Sequence, residues 1–115
     1  TFNDRLRDAT RGGGPFDANS GARLDGTVPD DALEQLDLVL ENVARNLAAA
    51  GMGFADVFKV TTMLVGEFDL TRVREKLRER YQGHAPCSTL LYVAGLASPL
   101  YRIEMEVWAG RSAGL

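Results

Sequence analysis

The sequence is poor in soft and reactive side chains, with one cysteine, Cys87, one histidine, His84, and one tryptophan in 115 residues. A lone cysteine closes no internal disulfide, and Cys87 with His84 falls short of a structural zinc site, so neither a disulfide frame nor a metal is expected. Long apolar runs are missing as well. Nothing approaches the roughly 18 residues that span a bilayer. The opening TFNDRLRDATRGGG has no apolar signal-peptide centre, so a cytoplasmic protein without a membrane partner is the expectation. A general basic field is also absent: 13 Lys and Arg against 16 Asp and Glu give a net charge of −3, which leaves nucleic-acid binding to a local patch.

What is present belongs to an ordinary globular domain, 45% hydrophobic and 25% charged. The length suits one domain with a core of its own, yet small enough that oligomerisation would help it bury apolar surface. Residues 1–14 are polar, arginine-rich and end in three glycines, and read as a flexible or irregular arm. A single domain over residues 15–115 follows. It opens on PFDANSGARLDG, where Asn19, Ser20 and Gly21 are turn formers, consistent with a small hairpin or an extended loop.

Periodicity organises the rest. In VPDDALEQLDLVLENVARNLAAAGMG, Leu33, Leu36, Leu40, Val43 and Leu47 recur at three- and four-residue spacing and predict a helix. Pro29, Asp30, Asp31 and Glu34 suit its amino end and Gly51 its stop. DVFKVTTMLVG is rich in β-branched residues and reads as a strand, with Phe58, Val60, Thr62 and Leu64 on one face and Val57, Lys59, Thr61 and Met63 on the other. DLTRVREKLRERYQG returns to helical spacing through Leu70, Val73, Leu77 and Tyr81, with Asp69 as N-cap. Its other faces carry Arg72, Arg74, Lys76, Arg78 and Arg80, which read as a solvated surface. HAPCSTLLYVAGL reads as a turn feeding a strand. SPLYRIEMEVWAG alternates Tyr101, Ile103, Met105 and Val107 against Arg102, Glu104, Glu106 and Trp108. Two amphipathic helices against one sheet make an α+β two-layer domain.

The polar cluster Cys87, Ser88 and Thr89, where the strand after HAP begins, is a candidate site or a strand cap. Cys87 as a nucleophile with His84 as its base lacks an orienting third group and has the wrong spacing. GGG at 12–14 is followed by neither a lysine–serine pair nor a helix, so it reads as a turn, not as a phosphate cradle.

Five segments, GGGPFDANSG, LENVARNLAAAG, DVFKVTTMLV, REKLRERYQGHAPCST and VAGLASPLYRIEMEVWA, follow one another over about residues 12–109. In that order they resemble the Rid family, the YjgF-type reactive intermediate deaminases, which has a chorismate-mutase-like fold. The resemblance implies two helices on one mixed sheet and a homotrimer with an inner barrel of sheets. It also implies pockets for a small metabolite between neighbouring subunits. Family members hydrolyse reactive enamines and imines such as 2-aminoacrylate to a ketoacid and ammonia, without a cofactor. That chemistry needs a guanidinium to grip the substrate carboxylate and an acid or base to move protons.

The carry-over is partial. Glu104 matches the glutamate of the family's IEIE-like strand and is the implied catalytic residue. PCST matches the PARS-like arginine motif at Pro86 and Thr89, but Ser88 stands where the arginine should be. Arg74 replaces an asparagine common in the deaminating branch, Arg11 and Gly12 replace a serine-glycine pair, and DATRGGG replaces a hydrophobic first strand. Cys87, Ser88, Tyr92 and Gly12 are the implied pocket lining, and Arg74, Arg102 and Arg11 are candidates to restore the missing clamp. Each of these arginines also reads as a surface residue, and Glu104 also reads as an inter-subunit salt-bridge partner. Glu106 and Trp108 are expected to be structural. The leading expectation is a divergent Rid-type imine or enamine hydrolase. A ligand-binding or regulatory trimer without turnover is the alternative, and a ribonuclease, disfavoured by the acidic composition, is third.

Overall fold

The computed structural model describes residues 19–110. The arm at 1–14 and the start of the loop or hairpin segment lie outside them. Helix α1 spans Ala32–Ala49 and helix α2 Leu70–Tyr81. Strands β1, β2 and β3 span Val57–Leu64, Cys87–Tyr92 and Ile103–Ala109. Between the first helix and strand lies one turn of 3₁₀ helix, Phe54–Asp56. Asp31 and Asp69 cap the helices, their carboxylates accepting from the amides of Glu34 and Arg72. Gly51, just beyond α1, has the positive φ of 72° that glycine tolerates best.

The sheet is mixed, in the order β2-β1-β3. β1 runs parallel to β2, with α2 as the crossover between them, and antiparallel to β3. Both helices cover one face of the sheet. Leu36, Val39, Leu40, Val43 and Leu47 of α1 are buried against Val60 and Leu64 of β1 and Ile103, Met105 and Val107 of β3. The predicted alternation holds along β3 and fails at the start of β1. A register shift between Val57 and Lys59 inserts Phe58 as an extra residue, so Val57 turns into the core and Phe58 is left 50% exposed. A bulge reverses the parity of every side chain on its far side, and no alternation pattern encodes it.

A second feature of α1 is a buried polar row beside its leucine face. The Gln35 amide, 1% exposed, donates to the carbonyls of Pro29 (2.9 Å) and Leu100 (3.0 Å) and accepts from the amide of Arg102 (2.8 Å). Two helical turns further on, Asn42 donates to the carbonyls of Ser20 and Ala22 at 2.8 and 3.1 Å. These bonds pin residues 19–22 along β3, where Ser20 bridges Glu104 and the Met105 amide donates to the Asn19 carbonyl. Gly21 passes so close to the helix that a Cβ there would lie 2.6 Å from the Gln35 Cβ. From Asn19 to Asp31 the described chain is loop rather than hairpin.

Two outcomes follow from this packing. Gln35→Ala strips three backbone groups of their partner and should cost about 2–4 kcal/mol, read as a lower urea midpoint at unchanged slope; a loss below about 0.5 kcal/mol, the level of an ordinary surface change, would remove the amide from its linking role. Burial pushes the Tyr81 phenol up to about 12. The unfolded chain releases that proton near pH 10, so stability intact below about 10 is lost as pH rises towards 12. Wild type should therefore lose thermal midpoint across that window more steeply than Tyr81→Phe, and parallel curves would contradict the burial argument.

Candidate functional site

Because β2 pairs with β1 alone among the described residues, five of its six residues are exposed there and both of its faces reach solvent. Strand parity then splits the polar cluster at its start. Ser88, Leu90 and Tyr92 stand beside Val60, Thr62 and Leu64 on the helix-covered side. Cys87, Thr89 and Leu91 stand beside Lys59, Thr61 and Met63 on the other side, which no element of the described chain covers.

That open side carries three cross-strand rows: Cys87, Lys59 and Trp108; Thr89, Thr61 and Glu106; Leu91, Met63 and Glu104. Glu104 is partly buried, between Met63 and the Ser20 bridge. The Trp108 indole donates to the Glu106 carboxylate at 3.0 Å, which fixes both side chains. Leu91 is 46% exposed on this open face.

On the helix side, α2 and the start of β2 enclose a cleft of about 210 Å³ lined by Val60, Arg74, Leu77, Arg78, Tyr81, His84, Ala85, Pro86 and Ser88. Arg74 and Ser88 are thus brought together. Tyr92, on the same strand face, stands beside Leu64 at the other end of β2 and does not line the cleft. The His84 ring is held by a hydrogen bond between Nε2 and the Val57 carbonyl; since a carbonyl only accepts, Nε2 carries the proton. The Tyr81 hydroxyl is buried without a hydrogen-bond partner.

Arg102 is committed elsewhere. Its Nη2 donates to the Glu67 carbonyl at 3.0 Å and its Nε to the Val65 carbonyl at 3.4 Å, while the guanidinium lies over the Phe68 ring at 5.2 Å. It fastens the turn between β1 and α2. Cys87, on the face opposite Ser88, is exposed and does not line the cleft. Gly12 and Arg11 lie outside the described residues. Arg78, Tyr81 and His84 as cleft residues were missed by periodicity, which assigned Arg78 to the solvated surface and Tyr81 to the apolar stripe. The four-residue spacing of Arg74 and Arg78, which places them on one helix face, was the available signal.

Ser88 and Glu104 therefore lie on opposite faces of one sheet, on its two outer strands. Within one chain they do not meet.

Known proteins share this arrangement. A family model described as Endoribonuclease L-PSP matches residues 11–110. TdcF of Escherichia coli (strain K12), which carries the name of a reactive intermediate deaminase, is 31% identical over 91 residues, 76% of this chain and 70% of TdcF. The 2-iminobutanoate/2-iminopropanoate deaminase of Rattus norvegicus is 33% identical over 94 residues, 82% of this chain and 65% of the rat protein. The crystal structure of E. coli TdcF with bound serine matches with a TM-score of 0.73 at 28% identity, covering 82% of this chain and 76% of that one. A Thermotoga maritima structure described as an endoribonuclease gives 0.75 at 27% identity, covering 83% and 76%. With the family model spanning both the α2 cleft and the open face of β3, the chain belongs to the endoribonuclease L-PSP family, the Rid family of YjgF-type proteins.

Proposed function

We propose that the chain assembles as a homotrimer whose inter-subunit pockets hydrolyse a small imine or enamine without a cofactor, with Glu104 as the proton-handling group. The observation that carries this reading is the position of Glu104, partly buried at one end of an uncovered sheet face, in a chain whose relatives are named as deaminases. The exposed Leu91 and Tyr92 of β2 are apolar surface that a neighbouring subunit would bury, at a gain of about 25 cal/mol per Å². Since Ser88 and Glu104 point to opposite sides of their own sheet, a pocket containing both takes them from two subunits.

In such a pocket the Glu104 carboxylate accepts a proton from water as the water oxygen adds to the carbon of the C=N bond. The nitrogen takes up a proton, and the resulting carbinolamine expels ammonia to leave the carbonyl product. An enamine enters the same sequence after protonation at carbon. No electron changes hands, so no redox partner is required.

One observation favours a second reading, a trimer that binds a small acid without turning it over. Ser88 offers a hydroxyl where a PARS-like motif has a guanidinium, and a neutral donor grips a carboxylate less strongly than a charged one.

Ammonia release from freshly generated 2-aminoacrylate and from larger imino acids separates the two. Wild type should accelerate at least one of them, and Glu104→Gln should lower that rate by about 10²–10⁴-fold, the usual worth of a positioned acid or base, with trimer mass unchanged by light scattering. Ser88→Arg should raise the rate on 2-aminoacrylate. A wild type inert on every imino acid, with activity gained only in Ser88→Arg, would refute the deaminase reading for these substrates and show that the clamp has been lost.

A further inference from the structure

We infer that the cleft between α2 and β2 binds a small organic acid bearing two negative groups, gripped by Arg74 and Arg78. Joined to the reading of Glu104 as proton-handling group, this makes the substrate the imine or enamine of a dicarboxylic acid. Binding itself does not depend on that reading.

Charge bookkeeping on α2 carries the inference. Arg72 is paired with Glu75 at 3.0 Å and Lys76 with Asp37 at 2.8 Å, both away from the cleft. Arg74 and Arg78, which line the cleft, meet no carboxylate among the described residues, and no acidic side chain lines it. Like charges four residues apart on a helix repel. The cleft therefore holds two guanidinium groups on one wall with no carboxylate among the described residues to neutralise them. A second depression, about 350 Å³ beside Asn42, contrasts with it: there Arg23 and Arg45 are matched by Asp25 and Glu41.

The remaining lining suits a small acid. Val60, Leu77, Ala85 and Pro86 give an apolar floor, which lowers the local dielectric and strengthens a charge-assisted hydrogen bond. Ser88 adds a hydroxyl donor. The His84 ring, tied to the Val57 carbonyl through Nε2, adds a fixed polar edge to the lining. A volume of about 210 Å³ corresponds to about seven waters at liquid density, below the usual drug-sized pocket. Two planar forks spaced by one helical turn match two carboxylates better than one, because each fork binds both oxygens of its own group.

Titration calorimetry at low salt with succinate and butyrate, matched in carbon number and differing by one carboxylate, tests this on the full chain. Succinate should bind wild type at least tenfold more tightly than butyrate, and added sodium chloride should weaken succinate more steeply. Arg74→Gln and Arg78→Gln, at exposed positions where glutamine is a comparable helix former, should each bring succinate down to about the butyrate value. Arg72→Gln, outside the cleft, should bind succinate as wild type does. Equal affinities for the two acids, no binding of either, or succinate binding unaffected in both cleft variants would overturn the inference. Glu104→Gln separates the two readings: succinate affinity retained in a trimer without turnover in wild type or variant refutes the deaminase alone, whereas turnover of mono-acids with equal affinity for both probes refutes the dianion site alone.

Discussion

One buried amide ties the domain together. Gln35 has no route to water, and its three hydrogen bonds reach the chain just before α1 and the two residues that lead into β3. An apolar side chain of the same size would leave those backbone groups unpaired in the core, at a cost of about 1–3 kcal/mol each. The geometry is correspondingly exact in its consequences. Gly21 must be a glycine for the loop to pass over that residue, and the Asn42 amide continues the same row to hold Ser20 and Ala22. Through Ser20, this row reaches the backbone of Glu104. The residue proposed to handle protons is thus supported from behind by polar contacts of α1.

The chemistry is divided between the two sides of one sheet. The helix side gathers positive charge and hydroxyls around Ser88, and the open side carries the carboxylates Glu104 and Glu106. A single strand cannot show both faces to one small molecule, so the sheet itself keeps Glu104 apart from Arg74 and Arg78 within a subunit. Charge separation of this kind also keeps Arg74 and Arg78 available, since a carboxylate on the same face would neutralise them.

Much of this was legible in the chain. Heptad-like leucines gave α1, strict alternation gave β3, and the stripe from Leu70 to Tyr81 gave α2, because each element buries one face against a common core. The cap at Asp69 was legible from its place just before the stripe, whereas Asp31 stood out only as one of several acidic residues at the amino end of α1. The Phe58 bulge was not, since one extra residue leaves composition and propensity unchanged. Gln35 and Asn42 were hidden by their polarity: periodicity counts them as solvent-facing until their backbone partners, as many as 67 residues away, are known. The cleft joins a helix face to a strand start through a turn, and only the parallel crossover brings Arg74 to Ser88. The commitment of Arg102 to the carbonyls of Val65 and Glu67 likewise depends on a turn that no periodicity describes.

The topology also orders events during synthesis. β1 is the central strand of the described sheet, yet its antiparallel neighbour β3 follows every other described element along the chain. Until residues 100–109 emerge, a nascent chain has α1, β1, α2 and β2 in hand but lacks the strand that closes the core. In that interval the Gln35 amide finds only Pro29 among its three partners, and the inner side of β1 is half roofed. The edge of β1 that β3 covers is unpaired in that interval, the kind of edge that recruits other chains. Completion of β3 closes that edge and satisfies the glutamine in the same step.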